Sequence, residues 1–148
     1  MESKTGILKQ IIKLKLPAAN AVANQGINTA LAQHGVNINS FLILFNKISI
    51  NFPKFLMLNV LVFVYDNKTF DIKIKGPILS LLILDYKKKF LKTEFFKKDL
   101  IFLLFFYYKN SSDPSFFDIL NSNKFIFFKK MNILIGVLKS MNIKYSLA

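Results

Sequence analysis

Two strand-like runs, LNVLVFVY (58–65) and TFDIKIK (69–75), limit what this chain can become more than any other stretch. In the second, Phe70, Ile72 and Ile74 alternate with Asp71, Lys73 and Lys75, a period of two that puts the apolar side chains on one face of a strand. The first is almost wholly apolar and rich in valine, as a strand in a core would be. Between them Asp66-Asn67-Lys68 has turn chemistry, so the two runs are expected to form a β-hairpin. Gly76-Pro77 then breaks the pattern, because proline cannot donate to a ladder and glycine favours a change of direction. A domain boundary is expected there.

Before the hairpin, QIIKLKL alternates Ile12, Leu14 and Leu16 with Lys13 and Lys15, a half-buried strand with a basic outer face. PAANAVANQGINTALAQHG follows, poor in charge, and reads as a loop leading into one or two helical turns that end at Gly35, a residue suited to a left-handed cap. Asn37 can cap the next helix, whose apolar face would be Phe41, Leu44 and Phe45. After the break come a short helix at ILSLLILDY and a Lys-rich loop carrying Lys87, Lys88, Lys89, Lys92, Lys97 and Lys98. A helix at Asp99 to Tyr108, a polar turn at NSSDPS and a helical region through MNILIGVLKSMNIKYSLA complete the chain. The fold class is α+β. Residues 1–75 form a small α+β domain (strand, two short helices, hairpin), 76–77 a hinge, and 78–148 a small, mainly helical domain.

Charge narrows the function. The formal net charge is +13, and all 21 basic residues are lysine. Such a surface suits a polyanion, either nucleic acid or an anionic membrane, against the plainer reading of a solvated basic face. There is no cysteine, which excludes disulfides and thiolate metal sites, and a single histidine, His34, leaves little for catalysis. An enzyme is not expected, nor a cofactor or a small-molecule substrate. His34 stands at a helix end, where a capping or solvent role is the reading. The skew towards Lys, Asn, Phe, Ile and Tyr matches A+T-rich codons, as in an organellar genome. Mean hydropathy is +0.37, yet the longest uncharged apolar run, LIFLLFFYY, is far short of the roughly 18 residues a span needs. The opening MESKTGILKQ lacks the marks of a secretory or transit peptide, so a chain working in an organelle is expected to be made there.

Three motifs, in order, carry a resemblance. In ALAQHGVNINSFLILFN, residues Ala30, Leu31, Gln33, Gly35, Val36, Asn37, Ile38, Phe41, Phe45 and Asn46 fall on one pattern without a gap. VYDNKTFDIKIKGP and ILIGVLKSMNI supply the other two. Together they resemble the family of ribosomal large-subunit protein eleven, while residues 78–130 hardly resemble it. The resemblance implies a two-domain protein at the GTPase-associated centre of the large ribosomal subunit. Its C-terminal domain would bind a compact rRNA fold through its last helix, with Gly136, Val137, Lys139, Ser140 and Met141, and through the basic stretch with Lys87, Lys88, Lys89 and Lys92. Lys130 joins that RNA-binding set. Its N-terminal domain would face translational GTPases through the segment Ala23, Asn24, Gln25, Gly26, Ile27 and Asn28, near the protein that anchors the stalk.

The chain departs from the family pattern in places. Val137 replaces a threonine and Asn142 a glycine that can still be matched as a left-handed cap. Ala23, Gln25, Gly26 and Thr29 stand where the family has prolines, and Asn28 where it has a glycine. In the family that loop and rRNA form a thiopeptide-antibiotic site, so a less rigid loop and an altered drug response are implied. Without arginine there is no bidentate phosphate fork, and more salt-sensitive RNA binding is expected. The expected role is structural, on a mitochondrial ribosome, with a plastid as the second choice. The alternatives are a basic protein of an organellar membrane surface, with apolar patches against anionic lipid, and a ribosomal relic held in place by protein contacts.

Overall fold

The computed structural model describes residues 6–111 and 124–147. The chain divides into two compact units, Met1–Lys75 and Gly76–Ala148. Its fold is mixed α+β with a helical C-terminal region, as the sequence patterns indicate.

Strands β1 (Leu8–Pro17), β2 (Met57–Tyr65) and β3 (Phe70–Pro77, whose last two residues fall in the second unit) form the first unit's antiparallel sheet in the order β1-β2-β3. The period-two patterns decide the register: Ile12 lies opposite Val62, Leu14 opposite Val60 and Leu16 opposite Leu58. Val60, Val62, Val64 and Leu58 are all buried, so one face of β2 is core along its length. Helices α1 (Gln25–Ala32) and α2 (Ile38–Ile48) supply Ile27, Leu31, Phe41 and Phe45 to this core, and a 3-10 turn, Ser49–Asn51, follows. Of the predicted α2 face, Phe41 and Phe45 are buried while Leu44 is exposed, because it lies on the edge of that face, about 100° around the helix from Phe45. The hairpin turn closes as the sequence indicates. Lys68 takes φ +63, Asp66 accepts from the Asn67 N–H at 2.8 Å, and Asn67 accepts from the Thr69 N–H at 3.1 Å.

The junction between α1 and α2 explains its sequence. Gly35 has φ +73, its N–H donates to the Ala32 carbonyl at 3.0 Å and the Val36 N–H to that of Leu31 at 3.3 Å. This paired closure satisfies carbonyls that would otherwise be orphaned, and it needs a residue that tolerates the left-handed region. Asn37 then starts α2, its side chain accepting from the Ser40 N–H at 3.0 Å. His34 is half-buried in this turn, its backbone N–H donating to the Leu31 carbonyl at 3.1 Å.

The second unit contains α3 (Leu79–Lys89), β4 (Glu94–Phe96), α4 (Lys97–Lys109), α5 (Lys124–Ser140) and β5 (Lys144–Ser146). Ile83, Phe95, Leu100, Leu103, Leu134 and Leu138 form its core. β4 and β5 pair in parallel, Glu94 opposite Lys144 and Phe95 opposite Tyr145. Three-residue strands are too short to carry a period, so this sheet has no signature in the sequence. The Lys-rich segment is not one loop: Lys87, Lys88 and Lys89 end α3, and Lys97 and Lys98 begin α4. Of the turn expected at NSSDPS, only Asn110 and Ser111 are within the described residues. Gly76, at φ +128, is buried against the end of α4, where an added Cβ would meet Ser111 Cα at 2.7 Å.

Candidate nucleic-acid interface

Helix α5 has two unlike faces. Met131, Leu134 and Leu138 recur at helical spacing and are buried. On the opposite side Phe125, Phe128, Lys129, Asn132, Ile133, Gly136, Lys139 and Ser140 recur at steps of three and four and are exposed. Phe125 is 77% and Phe128 63% exposed, unusual for phenylalanines on a helix that already buries its other side. This outer stripe combines two aromatic rings, two lysines, an amide, a hydroxyl and a glycine.

Gly136 is the notable member. It sits within α5, four residues before the last residue, Ser140, and a Cβ added to it would have nothing within 4 Å. Neither tight packing nor a left-handed backbone requires a glycine here. Its presence costs about 1 kcal/mol of helix stability relative to alanine. It leaves the helix backbone bare on the exposed face, where a partner can approach. The Ser140 hydroxyl donates to the Val137 carbonyl at 2.7 Å, which leaves its oxygen lone pairs available at the surface. After Ser140 the helix closes as α1 does: Asn142 has φ +53, its N–H donating to Lys139 at 3.0 Å and the Ile143 N–H to Leu138 at 3.0 Å. Asn142 thus serves as the left-handed cap.

The sequence-predicted RNA set divides on this geometry. Gly136, Lys139 and Ser140 lie together on the outer face of α5, whereas Val137 and Met141 are half-buried on its flank. Lys130 turns towards α4, its Nζ 4.6 Å from the Tyr108 ring centroid. Lys88 and Lys89 are exposed and Lys87 half-buried in the last turn of α3, where cations compensate the helix dipole. Missed by the sequence reading were Phe125, Phe128, Lys129, Asn132 and Ile133. The signal for them was present, since counting back from Gly136 in steps of three and four reaches each.

Lys92 has an internal task. Its Nζ lies 2.6 Å from Asp99 Oδ1, the buried acid in the first turn of α4. The Tyr86 hydroxyl donates to the same oxygen at 3.1 Å and the Phe96 N–H to Oδ2 at 3.0 Å, which caps α4. Burial works to raise the Asp99 carboxyl, but the bonds from Lys92, Phe96 and Tyr86 outweigh it and hold the group below its ordinary value. Burial and the bond to Asp99 push the Tyr86 hydroxyl up. Beyond this cluster the chain leaves α3 through the exposed Phe90 and through Leu91, 90% exposed at φ +49. A shallow open depression lined by Phe96, Lys97, Lys98 and Ile101 lies at the start of α4.

In the first unit, Ala23 precedes α1, Asn24 caps it by accepting from the Ile27 N–H at 2.9 Å, and Gln25 to Asn28 are already helical. Ile27 is buried, so it belongs to the core rather than to an exposed loop. Ala23, Asn24, Gln25, Gly26 and Asn28 are exposed. The loop ahead of them is fastened from α2. Asn46 accepts from the Ala21 N–H at 2.9 Å and donates to the Ala21 carbonyl at 3.0 Å. The buried Ser49 hydroxyl accepts from the Ala19 N–H at 2.9 Å and donates to the Phe45 carbonyl at 2.7 Å. Side-chain hydrogen bonds from Asn46 and Ser49 thus hold the backbone at Ala21 and Ala19.

Among the described residues no three His, Cys, Asp or Glu side chains come together to hold a metal ion. Nor is any described helix long and apolar enough to cross a membrane. No protein-family model matches the chain.

Proposed function

We propose that this chain is a structural, non-catalytic rRNA-binding protein of the large ribosomal subunit, acting at the GTPase-associated centre of an organellar, mitochondrial ribosome. The observation that carries the reading is the bare Gly136 on the exposed face of α5, between Lys129, Asn132, Lys139 and Ser140. A glycine that weakens its helix and answers no internal need makes sense where a nucleic-acid backbone comes close, with lysines on phosphates and a hydroxyl on sugar or phosphate. The first unit, with its mostly exposed segment Asn24–Asn28 following a loop held by Asn46 and Ser49, is the surface offered to translational GTPases and to the stalk-anchoring protein. The resemblance in ALAQHGVNINSFLILFN and ILIGVLKSMNI supports the same assignment.

Binding of the full chain to the folded GTPase-centre rRNA element, against a scrambled RNA of equal length over a salt series, tests this. We expect a preference for the folded RNA that persists as salt rises, and its loss in a Lys139→Ala/Ser140→Ala variant. Equal, steeply salt-dependent binding to both RNAs would refute it. An anionic membrane surface is the second reading, favoured by the exposed Phe125 and Phe128 beside Lys129. Co-sedimentation with anionic vesicles, undiminished by the folded RNA, would favour it.

A further inference from the structure

The outer face of the three-stranded sheet is not used by the function proposed above. Its make-up follows from the register. Ile11 lies opposite Phe63, Lys13 opposite Leu61 and Lys15 opposite Asn59, all on the side away from the buried Val60, Val62 and Val64. On β3 the Phe70 ring lies 5.9 Å from that of Phe41 in α2, which puts Phe70 on the helix side and Asp71 and Lys73 on the outer side. The Tyr65 hydroxyl, which donates to Asp71 Oδ2 at 2.9 Å, belongs to that outer side too. The face is therefore a half-buried apolar strip, Leu61 and Phe63 with Ile11 beside them, between exposed Lys13 and Lys15 on one edge strand and exposed Lys73 on the other. None of these three lysines is in an ion pair among the described residues.

We propose that this face binds an unpaired RNA strand. Neighbouring strands are about 4.8 Å apart, so Lys73 on β3 stands roughly 10 Å across the sheet from the strand that carries Lys13 and Lys15. A single strand laid between them can put bases on the Phe63 ring and phosphates against lysines on either side. A duplex is disfavoured, because its bases are stacked inside and offer no free face to the ring. The acid on this surface, Asp71, sits at the hairpin-turn end and is engaged by Tyr65, which leaves the lysine-bearing end uniformly positive. This site lies in the first unit and does not depend on the α5 reading.

The test uses the full chain carrying Lys129→Ala, Lys139→Ala and Ser140→Ala, so that the α5 face contributes little, and a short fluorescent oligouridylate read by anisotropy. Adding Lys13→Ala, Lys15→Ala and Lys73→Ala should weaken binding on the order of 10-fold and reduce the log–log salt slope by about 2, as three lost phosphate contacts on a single strand require. Phe63→Leu should weaken binding by about 5-fold or more with the slope unchanged, because it removes a stacking ring and no charge. Ultraviolet crosslinking should attach uridine to the peptide containing Phe63. Binding and slope unchanged in the lysine variant would overturn the proposal. So would displacement of the oligouridylate by an oligoglutamate peptide as readily as by unlabelled RNA, which would make the face a general anion or acidic-peptide surface. If Phe63→Leu fails to fold, the lysine variant and the crosslink decide.

Discussion

Asp99 shows how one side chain organises the second unit. Buried carboxylates are tolerated only when paired, and this one accepts from an ammonium, a hydroxyl and a backbone N–H. Because the folded value is depressed, its contribution to stability is fully present above the ordinary carboxylate range and is lost as pH falls through the lower folded value. Acid should therefore loosen the second unit below about pH 4, where an unfolded aspartate takes up its proton. Lys92→Ala should cost about 2 kcal/mol, less than a fully buried pair because the Lys92 side chain is 23% exposed. Thermal melts of wild type and variant from neutral to acid pH check both. The two curves should converge as Asp99 protonates, and parallel curves would mean that Lys92 acts through packing alone.

At the scale of elements, the chain's long periods were legible and its short ones were not. The hairpin, the Gly35–Asn37 junction and the α+β division between halves follow from patterns of seven or more residues with definite turn chemistry. The β4–β5 pair does not, since parallel pairing of two short segments distant in sequence leaves no local trace. The Lys-rich segment misled because a charge run suggests a loop, whereas three of its lysines sit at a helix C-terminus that favours them. In the candidate site, Gly136, Lys139 and Ser140 were found through a motif. The five further residues of the same face follow from Gly136 by steps of three and four, as long as the helix extends back to Lys124. Lys92 and Lys130 could not be separated from the RNA set by sequence, because Asp99 and Tyr108 meet them only in three dimensions. Elements also stiffen one another: Asn46, on α2, makes two hydrogen bonds to the loop residue Ala21. Asn46→Ala should cost about 2 kcal/mol, since it leaves both Ala21 backbone groups to find new partners. Hydrogen exchange should quicken at the Ala21 amide while the β2 amides stay protected. Protection retained at Ala21 would show the loop to be held by other means.

Over the whole molecule, the net charge is +13 with lysine as the sole basic residue, a balance that favours polyanions and under which any such binding would be sensitive to salt. Where that charge is spent differs from place to place. Lys92 and Lys130 are turned inward, Lys87–Lys89 answer a helix dipole, and Lys129 and Lys139 stand on a face whose remaining residues suit RNA. Stability and binding oppose each other at one position on that face, which offers the most direct test. Gly136→Ala, measured in the full chain for both thermal stability and affinity for the folded rRNA element, should raise stability by about 0.5–1 kcal/mol, since nothing obstructs the new methyl and the helix gains propensity. In the same protein, affinity should fall about 10-fold or more, because a methyl group would hold the RNA backbone away from the helix. A more stable variant that binds the folded RNA as tightly as wild type would contradict the account, for it would show that the bare face of α5 is not where the RNA lies.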